Sequence, residues 1–339
     1  MALTINTNLS SMIVQRNLSK STNQLNNAIE RMTTGYKINH ASDNAAGYSI
    51  AKNWEANLSS LDVAADNAAT GADMLATLED NYSLISQHVQ RIRDLTEQAS
   101  NGTYGKDSLV AIQSEITARV EEINRIAANC EFNGVDLMTG TTGGITADLN
   151  IQVGIDGDAN SRITLASSLF TSGNMTGLFK DMAAQTAPEG KSLSYILEKA
   201  GKANAQNDLT DEASIRAFAC ACSGLHFETT GSGANAVTTY TIDSNAGCGA
   251  SQMLTFLDKA LNNISSKVTS IGAGRNRIDS AIESISVQSE NITSSLSTLR
   301  DADVATESSN YIKAQILQQA SATLLATANQ SPSIALNLL

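Results

Sequence analysis

The sequence predicts a mainly α fold. Long helices from the N- and C-terminal parts pair in coiled-coil-like bundles, with a small β-hairpin region and a small α/β outer insert between them. Three observations predict it. Apolar residues recur every seven positions over long stretches. The only prolines among 339 residues are Pro188 and Pro332, so long helices run uninterrupted. Hydrophobic residues are 42% of the chain but aromatics only 4%, with Trp54 the sole tryptophan. Ala, Ile, Leu and Val suit helix seams better than a bulky globular core.

The elements follow in order. Leu18, Leu25, Ile29 and Met32 put an apolar stripe on a first helix, which Thr33-Thr34-Gly35 ends. Ser42 or Asp43 is placed to cap the next. Between Leu58 and Ala99, one heptad row holds Leu61, Ala68, Leu75, Tyr82 and Val89, and a second holds Leu58, Ala65 and Ala72. A third helix covers Lys106 to Ala128, with Leu109, Ile112, Ile116, Val120, Ile123 and Ala127 inward. Ile151–Ile155 and Arg162–Leu165 read as two strands of a hairpin. Residues 173–250 have another texture, with Pro188, three cysteines, short helices near 191–203 and 210–219, and a hairpin across Gly231-Ser232-Gly233. They read as a separate insert.

The C-terminal part mirrors the N-terminal one. Ile264, Ile271, Ile278, Ile285, Ile292 and Leu299 recur every seven, with Val268, Ile282 and Leu296 on a second row. A last stripe holds Ile312, Ile316, Leu317, Ala320, Leu324, Leu325 and Ala328. Each terminal stripe is too narrow to bury itself, so the ends need each other or neighbouring molecules.

Charge and chemistry exclude several functions. The net charge is −12, which argues against nucleic acid or an anionic membrane surface as partner. No apolar run reaches the ~18 residues of a membrane span, and the N-terminal stretch lacks the basic and apolar regions of a Sec signal. On these grounds alone the default is cytoplasmic. His40, His88 and His226 do not form H-E-x-x-H, and no phosphate-binding glycine pattern occurs. Asp156, Asp158 and Asn160 imitate the opening of a calcium loop, but Ser161 and Ser167 stand at its sixth and twelfth positions, so a hairpin turn is expected. Cys220 and Cys222 are spaced irregularly for a zinc set with His226 and Cys248. Cys130 reads as a small core residue. No catalytic residue, cofactor or metal is expected.

Several motifs in one order carry a resemblance. Leu3-Thr4-Ile5-Asn6-Thr7-Asn8 opens the chain, and Thr33-Thr34-Gly35-Tyr36-Lys37-Ile38-Asn39 precedes Ala41-Ser42-Asp43-Asn44-Ala45-Ala46-Gly47. Gln90-Arg91-Ile92-Arg93-Asp94-Leu95, Asn101-Gly102-Thr103 and Phe132-Asn133-Gly134 follow. Later come Gly272-Ala273 with Asn276-Arg277, Asp301-Ala302-Asp303 with Glu307, and the segment from Ala314 to Ala320. Together they resemble bacterial flagellin.

The resemblance implies a filament subunit, exported through the flagellar type III apparatus and polymerised outside the cell, which overturns the cytoplasmic default. It implies an inner domain from residues 1–45 and 301–339, a helical core domain from 46–172 and 251–300, and a variable outer insert over 173–250. Polymerisation would fall to Leu18, Leu25, Ile29, Ile316, Leu317 and Leu324. Arg91, Leu95 and Glu115 match positions used in protofilament contact and in recognition by the animal receptor TLR5, and Leu336, Leu338 and Leu339 match a segment sensed by cytosolic NAIP receptors. The implied partners are the chain itself as a helical homopolymer, an export chaperone, a cap protein and hook–filament junction proteins. In an oxidising exterior, Cys248 could form a disulfide with Cys220 or Cys222, although buried free thiols remain the leading reading. Rival readings are a hook–filament junction protein and a secreted coiled-coil adhesin or binding module.

Overall fold

Heptad spacing and scarce proline yield very long helices. The computed structural model describes residues 8–138, 145, 147–170, 173–179, 212–230, 237–242 and 246–336. Helix α1 spans Leu9–Thr34, α2 Ala45–Ser100 and α3 Lys106–Ala128. Strands β1 (Glu131–Phe132) and β2 (Val135–Asp136) and then β3 (Leu149–Gln152) and β4 (Arg162–Leu165) form two hairpins. After α4 (Met175–Phe179) come α5 (Glu212–Ser223), β5 (Leu225–Thr230) and β6 (Val237–Ile242). Helices α6 (Ala246–Arg300) and α7 (Val304–Leu336) complete the order. Contacts divide the chain into two units, residues 63–285 and residues 1–62 with 286–339, and the division falls inside α2 and α6.

The unit of residues 63–285 has a continuous apolar core. Leu75, Leu78, Tyr82, Ile85 and Ile92 of α2, Ile116, Val120 and Ile123 of α3, and Leu257, Ile264, Ile271 and Ile278 of α6 are all buried in it. These are the heptad rows of the sequence, and they bury because successive members fall on one helix face. Lys267 Nζ donates to the Tyr82 hydroxyl at 3.2 Å, which gives that buried oxygen a partner. Asn133 (φ 51°) and Gly134 (φ 76°) turn β1 into β2, as a type I′ hairpin requires.

The second hairpin pairs Ile151 with Ile163 and Leu149 with Leu165. Its first strand starts two residues earlier than the apolar run Ile151–Ile155 suggests, because pairing with Leu165 extends it through Leu149 while residues 153–161 make the connection. Ile151, Ile163 and Leu165 are buried. Ile151 can approach α2 because residue 71 is glycine: a Cβ there would lie 2.5 Å from Ile151 Cδ1.

Part of the 173–250 stretch can be followed in its described residues. Helix α5 packs on α3, and Ile215, Phe218, Cys220 and Cys222 belong to the same core as Ile112 and Ile116. A 12-residue helix is too short to be stable alone and must bury its apolar face on a neighbour. Strands β5 and β6 pair antiparallel, Leu225 opposite Ile242. The helix expected near 191–203 and the turn at 231–233 lie outside the described residues.

In the other unit, α1 and α7 pack together antiparallel. Asn8 caps α1, its Oδ1 accepting from Ser11 N at 3.1 Å, and its Nδ2 donates to Ala328 O at 2.7 Å near the far end of α7. Gly35 ends α1 with φ 74°, a left-handed conformation that favours glycine. The cap of α2 is Asn44, whose Oδ1 accepts from Gly47 N at 3.0 Å, and not Ser42 or Asp43. Asp43 is committed elsewhere: its carboxylate accepts from the N–H groups of Asn39 and His40, which holds its pKa below the ordinary value.

Candidate functional site

The seam between α1 and α7 is built from small and polar residues. Ser21 and Ala28 of α1 are buried against a row on α7 that includes Glu307, Ala314 and Ser321. Leu18 and Leu25 flank this row on α1 and are half-buried, as are Tyr311, Gln318 and Leu325 on α7. Polar bonds cross the seam at intervals. Arg31 bridges Glu307 at 3.4 Å, Gln318 Nε2 donates to Thr22 Oγ1 at 3.3 Å, and Ser11 Oγ donates to Asn329 Oδ1 at 2.8 Å.

Small residues let the two backbones approach, so the large apolar side chains remain outside. Leu9 (62% exposed), Met12 (63%), Ile316 (59%) and Leu324 (57%) lie open, joined by Ile13, Ile29, Met32, Ile312 and Leu317. Of the six residues assigned to polymerisation, Leu18 and Leu25 therefore border the intramolecular seam, while Ile29, Ile316, Leu317 and Leu324 face outward. A paired surface this apolar is unusual for a chain that stays alone. The burial of Ser21, Ala28, Ala314 and Ser321 was not anticipated, since attention to large apolar residues overlooks small ones. Their seven-residue spacing was the available signal.

The other predicted residues are dispersed. Arg91 is exposed and its Nε bridges Glu115 at 3.1 Å, with Arg119 joining Glu115 at 3.4 Å. Leu95 is only 2% exposed and belongs to the core, so it offers no surface beside Arg91 and Glu115. Burial there follows from its heptad neighbours Ile92 and Ala99, which face inward too. Leu336 ends α7, with its side chain outside the described residues, as are Leu338 and Leu339.

Cys130, Cys220 and Cys222 are buried free thiols. Burial pushes the Cys220 and Cys222 thiols up to about 12 and Cys130 to about 11. Cys248 lies in the first turn of α6, with its side chain outside the described residues. Among the described residues, no three His, Cys, Asp or Glu side chains converge as a metal site would require, and no helix is long and apolar enough to cross a membrane.

An antiparallel terminal helix pair with outward apolar faces and a separate helical core is the arrangement on which the comparisons bear. Residues 5–142 match the family model for the bacterial flagellin N-terminal helical region, and residues 254–339 match that for the C-terminal helical region. The chain belongs to the bacterial flagellins. It is 35% identical to a flagellin of Serratia marcescens, 31% to polar flagellin A of Vibrio parahaemolyticus and 32% to flagellin D of Vibrio anguillarum, each alignment covering 100% of both chains. As a flagellin it is a structural subunit that polymerises with its own copies into the flagellar filament. Full-length similarity of this kind does not favour the adhesin or junction-protein readings.

Proposed function

We propose that the outward apolar faces of α1 and α7 are the contacts through which this flagellin polymerises. The observation that carries the proposal is the inverted packing of the pair, with small residues between the helices and Ile29, Ile316, Leu317 and Leu324 outside. Neighbouring copies would cover these side chains at about 25 cal/mol per Å² of apolar area. Contacts that do not close on themselves generate a helical fibre. On this reading residues 1–45 and 301–339 form the inner wall of the filament, and 46–172 with 251–300 form the layer outside it. The protein acts outside the cell by assembly and not by catalysis. Before export the same faces need a cover, a role suited to an export chaperone, and at the filament ends the cap and junction proteins would meet them.

The test is seeded growth. Heated monomers are cooled with filament fragments and viewed by negative stain. Wild-type chains should extend the fragments, and Ile316→Glu and Leu324→Glu should each reduce growth at least tenfold. Growth of both variants at the wild-type rate would refute the proposal.

A second reading concerns receptors. The Arg91–Glu115 pair is on the surface, and we propose that it makes the protofilament contact and the TLR5 contact, with Leu95 supporting it from beneath. Leu336, Leu338 and Leu339 keep their proposed place in NAIP recognition. Arg91→Glu should weaken TLR5 signalling by monomers without changing the monomer's thermal melt.

A further inference from the structure

The small-residue packing between α1 and α7 does not by itself fix their register. Ser21 and Ala28 are seven apart, and so are Ala314, Ser321 and Ala328. Sliding α7 by one heptad, about 10 Å at 1.5 Å per residue, in the direction that brings Ala328 to Ser21 and Ser321 to Ala28 would again set small residues against small ones. The apolar faces would slide with it, and besides the few polar bonds that cross the seam a defined assembly surface calls for a device that selects the register.

Such a device lies at the root of the pair. The segment that follows α1 and the segment that precedes α7 are tied by backbone hydrogen bonds. Lys37 N donates to Arg300 O at 2.7 Å and Ala302 N donates to Gly35 O at 2.8 Å, around an antiparallel bridge between Tyr36 and Asp301. Lys37 Nζ adds a bond to Thr298 O at 2.8 Å. Gly35 is the residue after α1 ends, and Ala302 lies two residues before α7 begins. That leaves no length of chain to absorb a slip of one heptad.

Side chains pin the tie. The Arg300 guanidinium lies 4.0 Å from the centre of the Tyr36 ring and is ion-paired with Glu55 of α2. Lys52 holds Glu55 from its other side at 2.7 Å. Arg300 is mostly shielded, at 16% side-chain exposure, which strengthens both a cation–π contact and an ion pair relative to open water. One planar group thus joins the two segments to α2.

We propose that this tie, pinned by Arg300 between Tyr36 and Glu55, sets the register in which α1 and α7 pair, and so the apolar pattern the pair presents to neighbouring copies. The inference rests on the assembly reading above. Once the tie is formed, Arg31 meets Glu307, Thr22 meets Gln318 and Ser11 meets Asn329 in turn along the pair.

The test reads the register in filaments by disulfide formation. Ser11→Cys is combined with Asn329→Cys for the native register, or with Ala322→Cys or Leu336→Cys for a slip of one heptad either way. Filaments are grown from mixed heavy-isotope and unlabelled chains, so that links within one chain are recognised by uniform label. In the otherwise wild-type chain the link should form at Asn329. Arg300→Glu should lower that yield several-fold and raise the yield at Ala322 or Leu336, and the charge-swapped Glu55→Arg/Arg300→Glu chain, which restores the ion pair but not the cation over Tyr36, should recover part of the native link. An unchanged native yield in Arg300→Glu would overturn the proposal. A loss without gain at either slipped position would overturn it as well, since the tie would then hold the pair together without selecting its register. A loss that the swapped chain fails to restore counts against Arg300 as the pin. Wild-type chains that form no filaments would instead strike the assembly reading and the tie's role within it.

Discussion

At Gly71 one absent methyl group decides how closely the β3–β4 hairpin meets α2. A Cβ would sit 2.5 Å from Ile151 Cδ1, so Gly71→Val should cost about 1–3 kcal/mol through overpacking. Thermal melting of the monomer checks this, and Gly102→Val, where a Cβ meets open space, serves as the control. The buried thiols follow a similar local logic. Desolvation disfavours the thiolate, and at pH 8 Cys130, Cys220 and Cys222 stay protonated, with values near 11 to 12. Alkylation of these three should be slow in the native chain and become fast in denaturant, as mass spectrometry of the labelled peptides would record. The sequence read Cys130 as a small core residue and favoured buried thiols at Cys220 and Cys222, but held nothing to say what would bury that pair. For Cys220 and Cys222 that came from the packing of α5 on α3. Leu95 was legible as apolar, yet its burial withdrew it from the surface it was matched to.

The helix ends carry the next set of expectations. Asn44→Ala removes the side chain that caps α2 and should destabilise the chain by about 1 kcal/mol, measured by denaturant unfolding. At the start of α7, Asp303 accepts from the Thr306 hydroxyl and from Ala305 N. These bonds favour the carboxylate and hold its pKa below the ordinary Asp value of about 3.9. Its stabilising effect is therefore complete above that value and is lost as pH falls through the lower folded-state value. Asp303→Ala should melt below wild type at pH 6, and the two should converge as pH drops below 3.9, about the ordinary Asp value. Helix α3 was readable from its apolar spacing, whose inward residues are those the structure buries. The cap of α2 was not, since Ser42, Asp43 and Asn44 are all capping residues and only the loop's hydrogen bonds distribute them.

The largest-scale expectation concerns which part of the chain stands without the ends. The apolar core of the described residues lies within 63–285. Deleting residues 1–35 or 305–339 should thus abolish seeded filament growth while leaving the cooperative melt of that core within a few degrees of wild type. Filaments from either truncated chain would refute the account of the ends. The net charge of −12 also acts at this scale. It keeps free subunits apart through mutual repulsion while their apolar faces are uncovered, and added salt should hasten unseeded aggregation of the monomer.

The sequence by itself determined the long helices and their inward rows, because heptad spacing acts along one helix and needs no knowledge of the partner. It also determined the family, through motifs that hold their order. Only the tertiary structure decided which residues lie between α1 and α7 and which remain outside. That choice depends on how closely two backbones approach, and Ser21, Ala28, Ala314 and Ser321 permit an approach that the larger residues would prevent. The tie at Tyr36, Arg300 and Glu55 was likewise beyond the sequence. Its members are separated by up to 264 positions, and nothing but folding brings a ring, a guanidinium and a carboxylate from three segments into contact.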